Sequence, residues 1–168
     1  MLSNNFNYIN RLIAFGIFLL TFIVYFDTMA PTVSYWDCGE FIAVSHTLGV
    51  PHPPGSPFFL LLGRIFSMLP FNEDIAFRVN IISPLVSALA VMLLYLSIVK
   101  VVTHWRGKVN SLSDCLIVFG GGAAGALAFA FTDSHWFNAV EAEVYAFSTF
   151  FTAIVVWLIL LWLSLIHI

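Results

Sequence analysis

Four long apolar runs decide what this chain can fold into. They cover Leu12 to about Ala30, Ile81 to about Val102, a third ending at Phe131, and Val144 to about residue 165. A helix that crosses the hydrocarbon core needs about 20 mainly apolar residues, with a range near 17–25. The third run reaches that length only if it opens near residues 113–114 rather than at Leu116. Charged residues make up 9% of the 168 and hydrophobic ones 61%, whereas a soluble domain is roughly a quarter charged. Too little polar surface exists to coat a globule in water. The sequence therefore predicts an all-α membrane protein of about four transmembrane helices, with spans at 12–30, 81–102, 114–131 and 144–165. It forms one membrane domain over 1–168. A net charge of -3 argues against nucleic acid as a partner and leaves membrane lipids as the surroundings.

Charge placement orients the spans. Arg11, Lys100, Arg106 and Lys108 flank the first three on one side, and only Arg64 and Arg78 fall on the other. By the positive-inside rule the N-terminus is cytoplasmic and the loop 31–77 is outside. Eight of the nine acids, all but Asp114, then lie at the outer ends, so the outer face is the chemical one. No small-x-small cleavage site follows the first run, so a retained anchor is expected rather than a signal peptide. Cys38 and Cys115 fall on opposite sides, and no disulfide between them is expected. The fourth run has no basic anchor or polar tail. That pattern reads as an N-terminal fragment of a longer multi-pass protein, with the nativeness of the closing "SLIHI" left open.

The outer loop reads as short helices joined by rigid turns. Asp37 and Glu40 have N-cap and N3 spacing, a capping-box variant opening a helix over 38–48. Gly49 suits its C-terminal stop, with Pro51 beyond. Ser56 and Pro57 open a second helix over 57–69, and Asn72 is placed to cap a third. Both longer helices are expected at the membrane surface.

Several groups have two readings each. Asp37 and Glu40 share a helix face, which suits a general base with a companion acid or a metal-ligand pair; helix capping alone explains the same spacing. His52, in "HPPG", is either a phosphate or metal contact or a turn residue. Arg64 and Arg78, the outer cations, either clamp a phosphate or snorkel to headgroups. Glu141 and Glu143 are two apart, so on a helix they diverge by about 200° and cannot chelate one ion together. "GGGAAG" at 120–125 lacks the Lys and Ser/Thr of a phosphate loop; Gly121 and Gly125 read as a close-packing face. No nucleophile motif, zinc spacing or redox pair is present.

Three segments in order, "WDCGEFIAVSHTLGVPHPPGSPFF", "FRVNIISPLVSALAV" and "WFNAVEAEVYAFSTFF", resemble a bacterial multi-pass membrane family once of unknown function. That family is grouped with the protein O-mannosyltransferase-like glycosyltransferases of the GT-C superfamily. The resemblance implies a many-helix bundle whose first outer loop carries a catalytic acid. It implies an inverting transfer of a sugar, often mannose, from a polyprenyl-phosphate-linked donor to a protein Ser or Thr hydroxyl. The family's first-loop acid corresponds to Asp37, with Glu40 as companion. "HPPG" matches His52 to Gly55, and "AEVY" matches Ala142 to Tyr145 with Glu143. Catalysis is thus expected at Asp37 and Glu40, and substrate contacts at His52, Arg64, Arg78, Glu143 and Tyr145. A divalent metal ion stays open as a cofactor, with Glu40 and Glu143 as candidate ligands. The partners are a lipid-linked sugar donor and a protein acceptor. The expected location is the bacterial inner membrane, and the isolated fragment is expected to be inactive. A transporter or flippase for a lipid-linked substrate, or a non-catalytic scaffold, is the competing reading. Transporters place ionisable groups near the membrane midplane, whereas here they cluster at the outer ends.

Overall fold

The computed structural model describes residues 2–107, 109 and 111–166. Lys108, one of the four cations used for orientation, and the last two residues of "SLIHI" lie outside them. The elements are α1 (Leu2–Thr28), α2 (Cys38–Thr47), α3 (Pro57–Met68), α4 (Ile75–Asn80), α5 (Ile82–Arg106), α6 (Leu112–Ala130), α7 (Asp133–Ala139) and α8 (Val144–Ile166). Among the described residues there is no strand. Four helical stretches are long and apolar enough to cross a membrane: α1, α4 running into α5, α6, and α8. The chain is an all-α membrane protein.

α5 is the central helix and packs against α1, α6 and α8. Its Ala88, Val91, Tyr95 and Val99 are buried and recur every three or four residues, so they form one continuous face. α6 comes close to that face through glycine. A Cβ on Gly122 would lie 2.8 Å from Val99 Cγ2, and one on Gly125 3.1 Å from Ile98 Cδ1. Gly121 meets nothing within 4 Å. The close-packing face expected at Gly121 and Gly125 is therefore turned, and Gly122 makes its tightest approach.

Backbone groups at the acid-bearing end are tied across elements. The Tyr25 hydroxyl donates to the Ala130 carbonyl at 2.8 Å, joining α1 to the end of α6. Ala30 N–H donates to Val140 O at 2.8 Å. Asn80 Nδ2 donates to Ala30 O at 2.8 Å and to Thr32 O at 2.9 Å. These bonds satisfy loop groups that have no helical partner, and they fix the segment that leads into α2.

Local signals differ from the sequence expectation at several ends. Asp74, not Asn72, caps α4, its carboxylate accepting from Ala76 N at 2.7 Å; Asn72 instead accepts from Asp74 N. Leu48, not Gly49, takes the left-handed conformation that ends α2 (φ 55°). Neither Asp37 nor Ser56 makes a side-chain cap bond. The segment 133–139, between the third and fourth apolar runs, is the short helix α7. At the base-bearing end α6 starts on a full capping box between Ser111 and Asp114. Arg106 holds Asp114 there through Nη2 at 2.6 Å.

Candidate active site

Asp37 occupies the position just before α2, with helical dihedrals of -78° and -8°. Its carbonyl already accepts from Phe41 N at 3.0 Å. A capping side chain needs non-helical backbone so that its oxygen can fold back onto the first free N–H groups. At Asp37 the carboxylate points away instead and is 59% exposed. Capping, the bland explanation for this acid, is not what it does.

Glu40 turns towards the proline-rich loop. Its two oxygens accept from His52 N at 2.8 Å and pair with His52 Nδ1 at 2.6 Å. One carboxylate thus grips both the backbone and the ring of His52, and His52 Nε2 is left 3.9 Å from Asp37 Oδ2. The Phe41 ring lies beside the imidazole, with centroids 5.8 Å apart. Donating a hydrogen bond to Glu40 raises the His52 pKa above its ordinary 6.5. The same bond lowers that of Glu40 below its ordinary 4.5. Both shifts favour the charged pair, and His52 lies between two carboxylates.

The second outer loop supplies the other half of the site. Residues 140–143 are not helical, so the expected divergence of Glu141 and Glu143 does not occur. Ligand atoms of Cys38, Glu141 and Glu143 all lie within 4.8 Å of one another. The Cys38 thiol donates to Glu143 Oε1 at 3.5 Å, and Glu143 N–H is 3.4 Å from Ser83 Oγ of α5. Glu141 is 5% exposed, and its Oε1 has no hydrogen-bond partner among the described residues. Burial pushes the Cys38 thiol up to about 12. Burial also raises the Glu143 pKa, with Glu141 and Asp37 as nearby charges adding to the rise. Cys38 follows Asp37 in the chain, so its bond to Glu143 joins the two loops.

The two outer arginines are bonded to backbone carbonyls. Arg64 Nη1 donates to the His46 carbonyl at the far end of α2. Arg78 Nη1 donates to Leu69 O at 3.0 Å. Neither arginine pairs with a carboxylate among the described residues. Tyr145 sits in the first turn of α8 and is 61% exposed. His135 of α7 is buried, and burial lowers its pKa to about 4; it packs against Tyr25 and Phe129 and stays neutral. Cys38 and Glu141 are the members that sequence reasoning missed. Adjacency to Asp37 and the "EAE" spacing were the available signals.

The chemistry of the donors tests whether a divalent cation fits. Glu40 and His52 are already occupied with each other. Glu141 and Glu143 fit better, as two enclosed carboxylates with one oxygen unpartnered. Such a pair is costly without a counter-charge and has the hard oxygen donors that magnesium or calcium take.

Residues 37–166 match the family described as the protein O-mannosyl-transferase TMEM260 N-terminal domain. The chain is 32% identical over 145 residues to protein O-mannosyl-transferase tmem260 of Dictyostelium discoideum, a match covering 84% of this chain and 16% of that protein. It is 30% identical over 140 residues to protein O-mannosyl-transferase TMEM260 of Mus musculus, covering 83% of this chain and 18% of that protein. The chain thus spans less than a fifth of the relatives it matches. No solved structure matches it.

Proposed function

Because this chain belongs to the protein O-mannosyl-transferase TMEM260 N-terminal domain family, we propose that it forms the acid-bearing part of a membrane glycosyltransferase. The enzyme moves mannose from a polyprenyl-phosphate donor to a Ser or Thr hydroxyl of a protein acceptor. It works at the outer face of the membrane and inverts the anomeric carbon, as a GT-C enzyme does; in a bacterial cell that membrane is the inner one. One observation supports this reading above the others. Asp37 is an exposed carboxylate freed from capping, and it faces an imidazole that a second carboxylate holds in place.

The steps follow from that geometry. Asp37 takes the proton of the acceptor hydroxyl as its oxygen bonds to the anomeric carbon. The bond from that carbon to the phosphate oxygen breaks, and the electron pair leaves with the phosphate. His52, gripped by Glu40 and 3.9 Å from Asp37, orients that carboxylate beside the acceptor and favours its charged form. The Glu40 grip sets the distance between base and imidazole, which is a positioning role. A divalent ion on Glu141 and Glu143 would supply charge compensation on the leaving-group side. Arg64 and Arg78, bonded to backbone carbonyls, brace the surface helices on which the site rests. Tyr145, exposed at the start of α8, is placed to meet substrate arriving from the membrane side.

The test is transfer from polyprenyl-phosphate mannose to a peptide acceptor. It uses membranes containing the native chain that carries this domain, with Asp37→Asn at matched expression. Loss of transfer in a folded protein supports Asp37 as base. Equal transfer removes Asp37 from the chemistry, and with it the reading of a site centred on the first loop.

A further inference from the structure

The end of the bundle away from the acids holds a cavity of about 730 Å³ between α1, α5 and α8. Arg11, Lys100 and His104 line it. At 1.5 Å per residue, Arg11 lies about 25 Å along α1 from Thr28, and Lys100 lies about 27 Å along α5 from Ile82. Those distances approach the roughly 30 Å of a hydrocarbon core. With the acids at one boundary, these cations stand at the other. Neither pairs with a carboxylate among the described residues.

Two further polar groups lining the cavity, Asn10 Oδ1 and Thr103 Oγ1, are buried without a partner among the described residues. A buried hydroxyl or amide normally has one. The Thr103 hydroxyl can donate to a phosphate oxygen, and the Asn10 oxygen can accept from a headgroup hydroxyl. The α8 lining is mainly apolar, with Leu160, Leu161, Leu163 and the half-buried Trp157 beside Ser164. A free anion has no use for that lining, and an apolar helix has none for two unpaired cations.

We propose that this cavity binds one anionic phospholipid of the cytoplasmic leaflet. Its phosphate sits between Arg11 and Lys100, and an acyl chain runs along the leucines of α8. Guanidinium matches phosphate oxygens in a planar fork, and basic pockets between membrane helices suit anionic headgroups.

The native chain that carries this domain is purified from mixed phosphatidylglycerol and phosphatidylcholine, washed in detergent, and its retained lipid measured by mass spectrometry. The wild type and the charge-keeping R11K/K100R should retain phosphatidylglycerol over phosphatidylcholine, and R11Q/K100Q should lose roughly tenfold or more of that retention. Equal retention by R11Q/K100Q, or no preference in the wild type, overturns the proposal. A second measurement leaves the charges intact. Dibrominated phosphatidylglycerol in phosphatidylcholine vesicles should quench tryptophan fluorescence more than dibrominated phosphatidylcholine does, and Trp157→Phe should remove the excess. Identical quenching by the two lipids, as expected if another span of the chain covers the cavity, overturns the site. So does displacement of the lipid by inorganic phosphate, which would make this a site for a free anion.

Discussion

The acid-bearing and base-bearing ends of the helix core handle charge in opposite ways. At the acid-bearing end, two loops distant in sequence interlock. Glu40 holds His52, Cys38 bonds Glu143, and Asn80 and Val140 hold the Ala30–Thr32 segment between them. Charge is concentrated there and placed by tertiary bonds. At the base-bearing end the one ion pair among the described residues is local, and the other cations come from separate helices without a carboxylate partner among those residues. Arg106 meets Asp114 across the short α5–α6 turn, and Arg11 and Lys100 face a cavity. The proposed function rests on the acid-bearing end for this reason: a base and its orienting partner at fixed separation need several elements to position them, and hydrogen bonds between two loops supply that there.

Asp37→Asn puts this contrast under the greatest stress. Transfer should fall by about 10²–10⁴, while the melting temperature stays put, because no cap bond is lost. A large drop in melting temperature would return Asp37 to a structural role. Gly122→Val comes next and probes the core joining the two ends. Its Cβ meets Val99 at 2.8 Å, so stability should fall by about 1–3 kcal/mol. The pH profile of transfer should keep its shape, because no group of the site is touched.

His52→Gln isolates the electrostatic side. Transfer should fall roughly tenfold, less than for an enclosed donor because His52 is exposed. The Glu40–His52 pair contributes fully between the ordinary values of 4.5 and 6.5. Its contribution is lost as pH falls through the lowered Glu40 value, and lost again as pH rises through the raised His52 value. The alkaline decline in thermal stability of the wild type should therefore flatten in the variant. An unchanged alkaline limb would assign that decline to another group. The smallest effect is expected at the other end. Arg106→Gln breaks a solvent-exposed pair and should cost about 0.5 kcal/mol or less by denaturation, with transfer unaffected.

Much of the fold is legible in the sequence. Apolar length and helical periodicity need no partner to be recognised, so the long helices and the two longer loop helices can be read directly. Of the residues carrying the resemblance, Asp37, Glu40 and His52 meet in space, and Glu143 bonds Cys38 beside them. Individual caps are less legible: Asp37, Asn72 and Gly49 all have suitable chemistry, yet Asp74 and Leu48 take two of the roles. Many residues can serve an end, and tertiary contacts choose among them.

That this is a membrane helix bundle with its acids at one end follows from the amino-acid order alone, because burial in lipid leaves no other use for such long apolar runs. Tertiary packing was needed to bring Glu141 and Glu143 together on Cys38, and to make Asp37 a free carboxylate rather than a cap. Packing also sent Arg64 and Arg78 to backbone carbonyls. Those outcomes depend on where non-helical segments turn, and a turn between packed helices is fixed by bonds to residues about 50 positions away, as from Asn80 to Ala30. No local pattern encodes such a bond.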